Sequence, residues 1–143
     1  MTPAAPAGYS GKPLWAKLGY AESTVALVVS APEDYTQMLA GLPAGVAFAK
    51  TPSRRVQLVH VFSRSLDELR TWLSDVPPLL APDAMIWVSW PKKASKVPTD
   101  ITEDRIRDVA LPLGLVDIKV CAVDSVWSGL KLVRRKALRV PAS

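Results

Sequence analysis

Cysteine and histidine are almost absent: the 143 residues hold one of each, Cys121 and His60. A lone cysteine excludes an intramolecular disulfide, and one histidine beside one cysteine cannot assemble a zinc site of familiar spacing. Cys121, inside "VDIKVCAVD", reads as an inert strand residue, and His60, in "VQLVHVFS", as a structural histidine with no nucleophile legible beside it. No apolar run reaches the roughly 18 residues of a membrane helix. The opening "MTPAAPAGYSGK" lacks the basic start and apolar centre of a secretory signal, so a cytoplasmic location away from membrane is expected. Asp117 and Asp124 would stand about 23 Å apart on one extended strand, which excludes a carboxylate pair. Ser10-Gly11-Lys12 is only a fragment of a phosphate loop, without the preceding strand or first glycine. No metal and no cofactor is assigned on these grounds.

What is present suits one globular core: 49% of the residues are apolar, in a chain of ordinary domain length. The expected organisation is a disordered arm over 1–8, an α/β domain over 9–136 and a basic tail over 137–143. The net charge of +5 is local, because Lys131, Arg134, Arg135, Lys136 and Arg139 account for five of the 18 basic residues and the others balance the 13 acids. A solvated tail explains that segment most simply; a salt-dependent nucleic-acid contact is the sharper reading and is disfavoured.

Apolar periodicity sets the elements. Pro13 can start a short turn through Leu14, Trp15 and Leu18 that ends at Gly19, with Trp15 pinning this arm to the core. "STVALVVS", "VQLVHVFS" and "AMIWVSW" are uninterrupted apolar runs of strand length, as expected for strands covered on both faces. Between the first two, Ser30 is placed to cap a helix through Tyr35, Met38, Leu39 and Leu42, with Gly41 at its end, and "GVAFAK" is a short strand. Ser65 and Glu68 form a capping box ahead of Leu69, Trp72, Leu73 and Val76. Thr99 or Asp100 opens the next helix, through Ile106, Val109 and Ala110, and Pro112 and Gly114 close it. Val116 to Ala122 and Trp127 to Arg134 are joined too closely for anything but antiparallel pairing. The tryptophans read as packing, including Trp90 and Trp127 where strands meet turns. The fold expected is a three-layer Rossmann-like α/β fold, its mainly parallel sheet ending in an antiparallel hairpin.

That ending resembles the Rossmann-like fold of S-adenosylmethionine-dependent methyltransferases, here in a shortened form. The resemblance implies a glycine-rich turn after the first strand and an acidic residue after the second, and the chain departs from both. Ser30-Ala31-Pro32-Glu33-Asp34 and Lys50 stand there. Pro32 removes an amide donor, and Glu33 and Asp34 already occupy the positive end of the helix, so an anionic ligand is repelled. "WPKK" also lacks the Asn or Asp of amino-methylating enzymes. A second resemblance, to a small uncharacterised bacterial domain-of-unknown-function family, rests on "GYSGKPL" with "KLG", Pro32 with Tyr35, "WVSWPKK" with "TDIT", and "VDSVWSGLKLVRR". It implies no activity.

By elimination the site falls on the loop after the third long strand, where Lys92, Lys93 and Lys96 gather beside Trp90, Thr99 and Thr102 at the strand's carboxyl end. The function expected is a binding or interaction module without catalysis, taking an acidic small molecule or acidic protein face at that loop. A lysine loop that serves only solubility is the plainer reading of the same residues. A small enzyme or S-adenosylmethionine-type cofactor binder would instead use a crevice between the first and third long strands, rimmed by His60, Ser63, Trp90 and Lys92. A nucleic-acid binder would use Lys131 to Arg139. A homodimer through a sheet edge or "PPLLAP" is open.

Overall fold

A computed structural model describes residues 12–136, so the arm over 1–8, the tail over 137–143 and Arg139 lie outside the described residues. Helix α1 (Leu14–Leu18) follows Pro13, whose fixed φ suits a helix start, and stops at Gly19, where φ of 94° favours glycine. Strand β1 (Val25–Val29), helix α2 (Tyr35–Met38), strands β2 (Ala47–Ala49) and β3 (Leu58–Phe62), helix α3 (Leu66–Asp75) and strand β4 (Met85–Pro91) come next. Helix α4 (Glu103–Ala110) and the hairpin of β5 (Leu115–Ala122) with β6 (Trp127–Arg134) complete the fold.

The six strands form one sheet in the order β2-β1-β3-β4-β6-β5. Strands β2, β1, β3 and β4 are parallel, and β6 runs antiparallel to both β4 and β5. The mixed sheet with its antiparallel end is the one read from the sequence, and the short strand near Val46 falls at the β1 edge. Every residue of β3 is buried, as its unbroken apolar run requires. One face of the sheet packs Leu27, Val59, Ile86, Val88 and Leu132 against Leu69 and Leu73 of α3 and Ile106 and Val109 of α4. The other packs Ala26, Leu58, Phe62 and Trp87 against Leu18, Tyr20, Tyr35 and Leu39.

Two helix starts differ from expectation. Ser30 is no helix cap: it takes a left-handed φ of 57°, and α2 begins only after Asp34. The capping of α4 falls to Thr102, whose hydroxyl accepts from the Arg105 amide. Thr99 and Asp100 are used elsewhere, Thr99 donating to the Arg64 carbonyl at 2.8 Å and Asp100 accepting from the Leu66 amide at 2.8 Å. Ser65 caps α3 as its sequence pattern requires, accepting from the Glu68 amide. No helix among the described residues is long and apolar enough to cross a membrane.

Candidate functional site

The chain leaves β1 toward the β2 edge and returns to place β3 on the other side of β1, so the strand order reverses between β1 and β3. In open α/β sheets this reversal, at the carboxyl ends of the strands, splays the connecting loops and leaves a crevice. Here it is a cleft of about 420 Å³ lined by Ser30, Pro32, Phe62, Ser63, Arg64 and Glu68, with Ser65 and Trp127 completing it. The expected crevice lay between the first and third long strands. The observed one lies between the first and second, because β3, not β4, is the neighbour of β1.

Each wall has a local cause. Ser30 follows β1 in a backbone conformation that costs a non-glycine residue about 1 kcal/mol, which turns the chain out of the sheet and sets Pro32 as a wall. Ser63 donates its hydroxyl to the Ser65 carbonyl at 3.0 Å and accepts from the Ser65 amide at 3.3 Å, holding the turn into α3. Phe62 and Trp127 meet edge to face with ring centroids 5.0 Å apart and present a rigid aromatic corner. Trp127 gets there through the hairpin, whose register sets it opposite Pro91 at the end of β4. The amides of Leu66 and Glu68 at the start of α3 are already spent on Asp100 and Ser65, and Asp67 and Glu68 add negative charge there. The wall offers little to a phosphate.

His60 is fully buried and stacks on Phe62 of the cleft wall at 4.2 Å between centroids. Its Nδ1 shares a hydrogen bond of 2.9 Å with the Tyr35 hydroxyl, and its Nε2 one of 2.7 Å with the buried Ser89 hydroxyl. Tyr35 in turn bonds the Tyr20 hydroxyl at 2.9 Å. Burial holds the imidazole neutral by pushing its pKa down to about 3, and pushes the Tyr20 hydroxyl up to about 12 against the lowering effect of its bond to Tyr35. The chain Tyr20, Tyr35, His60 and Ser89 ties α2 to β3 and β4 and so fixes the segment that carries Ser30 and Pro32.

The other sequence-derived residues are dispersed. Trp90 is buried in the core on the α3 and α4 side, away from any rim. Lys92, Lys93 and Lys96 do sit at the carboxyl end of β4, Lys93 and Lys96 exposed and Lys92 half-buried, but none lines the cleft. Thr99 ties the end of their loop to Arg64 at the cleft wall. Of the basic C-terminal set, Lys131 faces the α1 side of the sheet, Arg135 donates to the Leu111 carbonyl on the α4 side, and Lys136 is exposed after β6. Among the described residues of this set, Lys131 and Arg135 lie on opposite sides of the sheet. Ser30, Arg64, Glu68 and Trp127 were missed as a group; the left-handed Ser30 had no sequence signal, Arg64 and Glu68 lie together where β3 leads into α3, and Trp127 reaches them only through strand pairing. Among the described residues no group of three or more His, Cys, Asp or Glu side chains is placed to hold a metal ion.

No protein-family model and no curated protein matches the chain. Solved structures do. A SAM-dependent methyltransferase from Aquifex aeolicus superposes with a TM-score of 0.63 at 14% identity over 83% of this chain and 86% of its own. The magnesium protoporphyrin IX methyltransferase of Synechocystis, solved with bound SAH, gives 0.54 at 13% identity, over 85% and 78% of the two chains. At these identities the likeness is one of fold: the sheet is that of Rossmann-like methyltransferases.

Proposed function

We propose that this protein binds a ligand of the S-adenosylmethionine class in the cleft between the carboxyl ends of β1 and β3. The observation that carries the reading is the coincidence of that cleft with the reversal of strand order in a methyltransferase-like sheet. The lining fits a cationic adenosyl compound better than a nucleotide phosphate. Phe62 and Trp127 offer an aromatic corner for a purine or a positively charged centre, and Glu68 is a carboxylate for an ammonium or sulfonium. Arg64 suits a carboxylate, and the Ser30 and Ser63 hydroxyls suit a ribose. Pro32, Glu33 and Asp34 work against a diphosphate, as do the occupied amides at the start of α3.

Bound S-adenosylmethionine supplies an electrophilic methyl group. This chain's part is to hold and orient: the aromatic corner excludes water from one side, and the Tyr20 to Ser89 network keeps the Ser30 and Pro32 wall in place. Thermal unfolding tests the reading. Millimolar S-adenosylmethionine or S-adenosylhomocysteine raises the melting temperature, ATP and NAD do not, and Trp127→Ala abolishes the increase. Equal stabilisation by ATP, or none by either adenosyl compound, would refute it.

A second reading keeps an acidic ligand or acidic protein face at Lys92, Lys93 and Lys96, supported by the Thr99 tie to Arg64. The triple change of these lysines to Gln leaves the melting temperature within about a degree, since Lys93 and Lys96 are exposed and Lys92 only half-buried, and weakens an acidic ligand. Unchanged affinity for polyglutamate in that variant removes the loop from consideration.

A further inference from the structure

Strands β3, β4 and β5 all run the same way, so α3 and α4 each lead from the carboxyl end of one strand to the amino end of the next. The two helices lie on the same face of the sheet, and the turns that end them emerge at the same end of it. Those turns are apolar and uncovered. Leu79 after α3 and Leu111 and Leu113 after α4 are 51%, 42% and 40% exposed. Large aliphatic side chains gathered on one exposed face mark a surface that something else covers.

Between the helices runs a groove of about 380 Å³, separate from the cleft, with Leu66, Val109, Pro112 and Leu113 as its apolar lining. Arg70, Arg105 and Asp108 complete it. Arg70 pairs with Asp67 of its own helix and Arg105 donates to the Asp100 carbonyl, while Asp108 has no hydrogen-bond or ion-pair partner among the described residues. The groove therefore carries both signs of charge. An acidic partner would meet Asp108, and a basic one would meet the two arginines. A second copy of this chain brings both signs, and a two-fold axis can set each against its opposite.

The size of the face agrees. Helices of ten and eight residues, each followed by a three-residue turn, present a surface about 20 Å square. A stable dimer buries about 800 Å² of accessible surface per partner, roughly a tenth of the 8363 Å² of this chain, and a corrugated face of that extent supplies it. The outer strand β5 is unsuited to the same role. Its pairing with β6 slips between Asp117 and Lys119, and Lys119 stands exposed on it, two features that block edge-to-edge pairing.

We propose that the outer face of α3 and α4 is the interface of a two-fold homodimer, with Leu79, Leu111 and Leu113 covered by the second copy and Asp108 set against one of its arginines. The proposal goes beyond the ligand reading of the cleft and does not depend on it.

Sedimentation equilibrium of the full chain at about 10 and 100 µM tests it. Wild type sediments at twice the 15.5 kDa of one chain. Leu113→Asp sediments as a single chain with an unchanged circular dichroism spectrum, because an exposed side chain is altered and symmetry counts the buried charge twice. Asp108→Arg, which places like charges across the axis, weakens association about tenfold. Ile118→Asp, on the equally exposed edge strand, leaves the dimer intact. A wild-type monomer at both concentrations, a dimer indifferent to Leu113→Asp, or dissociation by Ile118→Asp alone would each overturn the proposal. Stabilisation by S-adenosylmethionine is read separately on the Leu113→Asp protein, so a failure of the cleft reading leaves the mass result standing.

Discussion

At the scale of single residues, the most constrained group is His60. Its folded pKa of about 3 lies below the ordinary 6.5, so between those values the unfolded chain binds the proton that the folded chain refuses. The stability that neutral His60 contributes is therefore complete above pH 6.5 and is lost progressively as pH falls toward 3, by up to about 1.4 kcal/mol per pH unit. His60→Gln lowers stability at neutral pH by about 1–3 kcal/mol through the bonds it disturbs to Tyr35 and Ser89, yet falls less steeply in acid than wild type. Urea denaturation at pH 7, 5.5 and 4.5 reads both effects; parallel pH profiles for the two proteins would contradict the assignment. Ser30 is the second special position. Ser30→Gly removes a left-handed strain of about 1 kcal/mol and adds a similar unfolded-state entropy, so its stability changes little, whereas Ser30→Val loses more than about 1 kcal/mol. A Gly variant clearly less stable than wild type would mean that the Ser30 hydroxyl, not its backbone, holds the turn.

At the scale of elements, tertiary contacts decided what local pattern left open. The Ser65 cap was legible because its signal is contained within four residues, although the Ser65 amide donates to the Ser63 hydroxyl and not to Glu68, and β3 was legible because every side chain in it is apolar or buried. The start of α4 was not, because Thr99, Asp100 and Thr102 are all competent caps within four residues. Arg64 and Leu66, far away in sequence, engage the first two and leave Thr102. Thr102→Ala is accordingly expected to cost about 1 kcal/mol, while Thr99→Ala acts on the α3 turn instead. Faster amide hydrogen exchange at Arg105 in the first variant, and none there in the second, checks the division. Trp87 does for α1 what Thr99 does for that turn: its indole donates to the Leu18 carbonyl at 2.7 Å. Trp87→Phe leaves that carbonyl unpaired and is expected to cost about 1–3 kcal/mol, with α1 amides exchanging first.

At the scale of the whole molecule, the fold class followed from alternating elements and a closing hairpin, which are properties of the chain read in order. The candidate cleft did not, because it depends on which strands become neighbours. Ser30, Phe62 and Trp127 come from three strands or their ends and meet only through the β1–β3 pairing and the β4–β6 register. The turn after β1, with Pro32, Glu33 and Asp34, disfavours an anion as chemistry; under the proposed function that restricts the charge of the ligand and does not argue against one. The lysine loop was reached by elimination and stands as a separate candidate; elimination along the chain does not reveal a cleft whose walls are distant in sequence.

The most direct test of the account maps the ligand onto the molecule. In amide and indole NMR spectra titrated with S-adenosylhomocysteine, the account predicts shifts concentrated at Ser30, Ser63, Arg64, Ser65 and the Trp127 indole, with the amides of Lys92 to Lys96 unmoved. Shifts confined to the Lys92 to Lys96 segment, or no shifts at millimolar ligand, would contradict it.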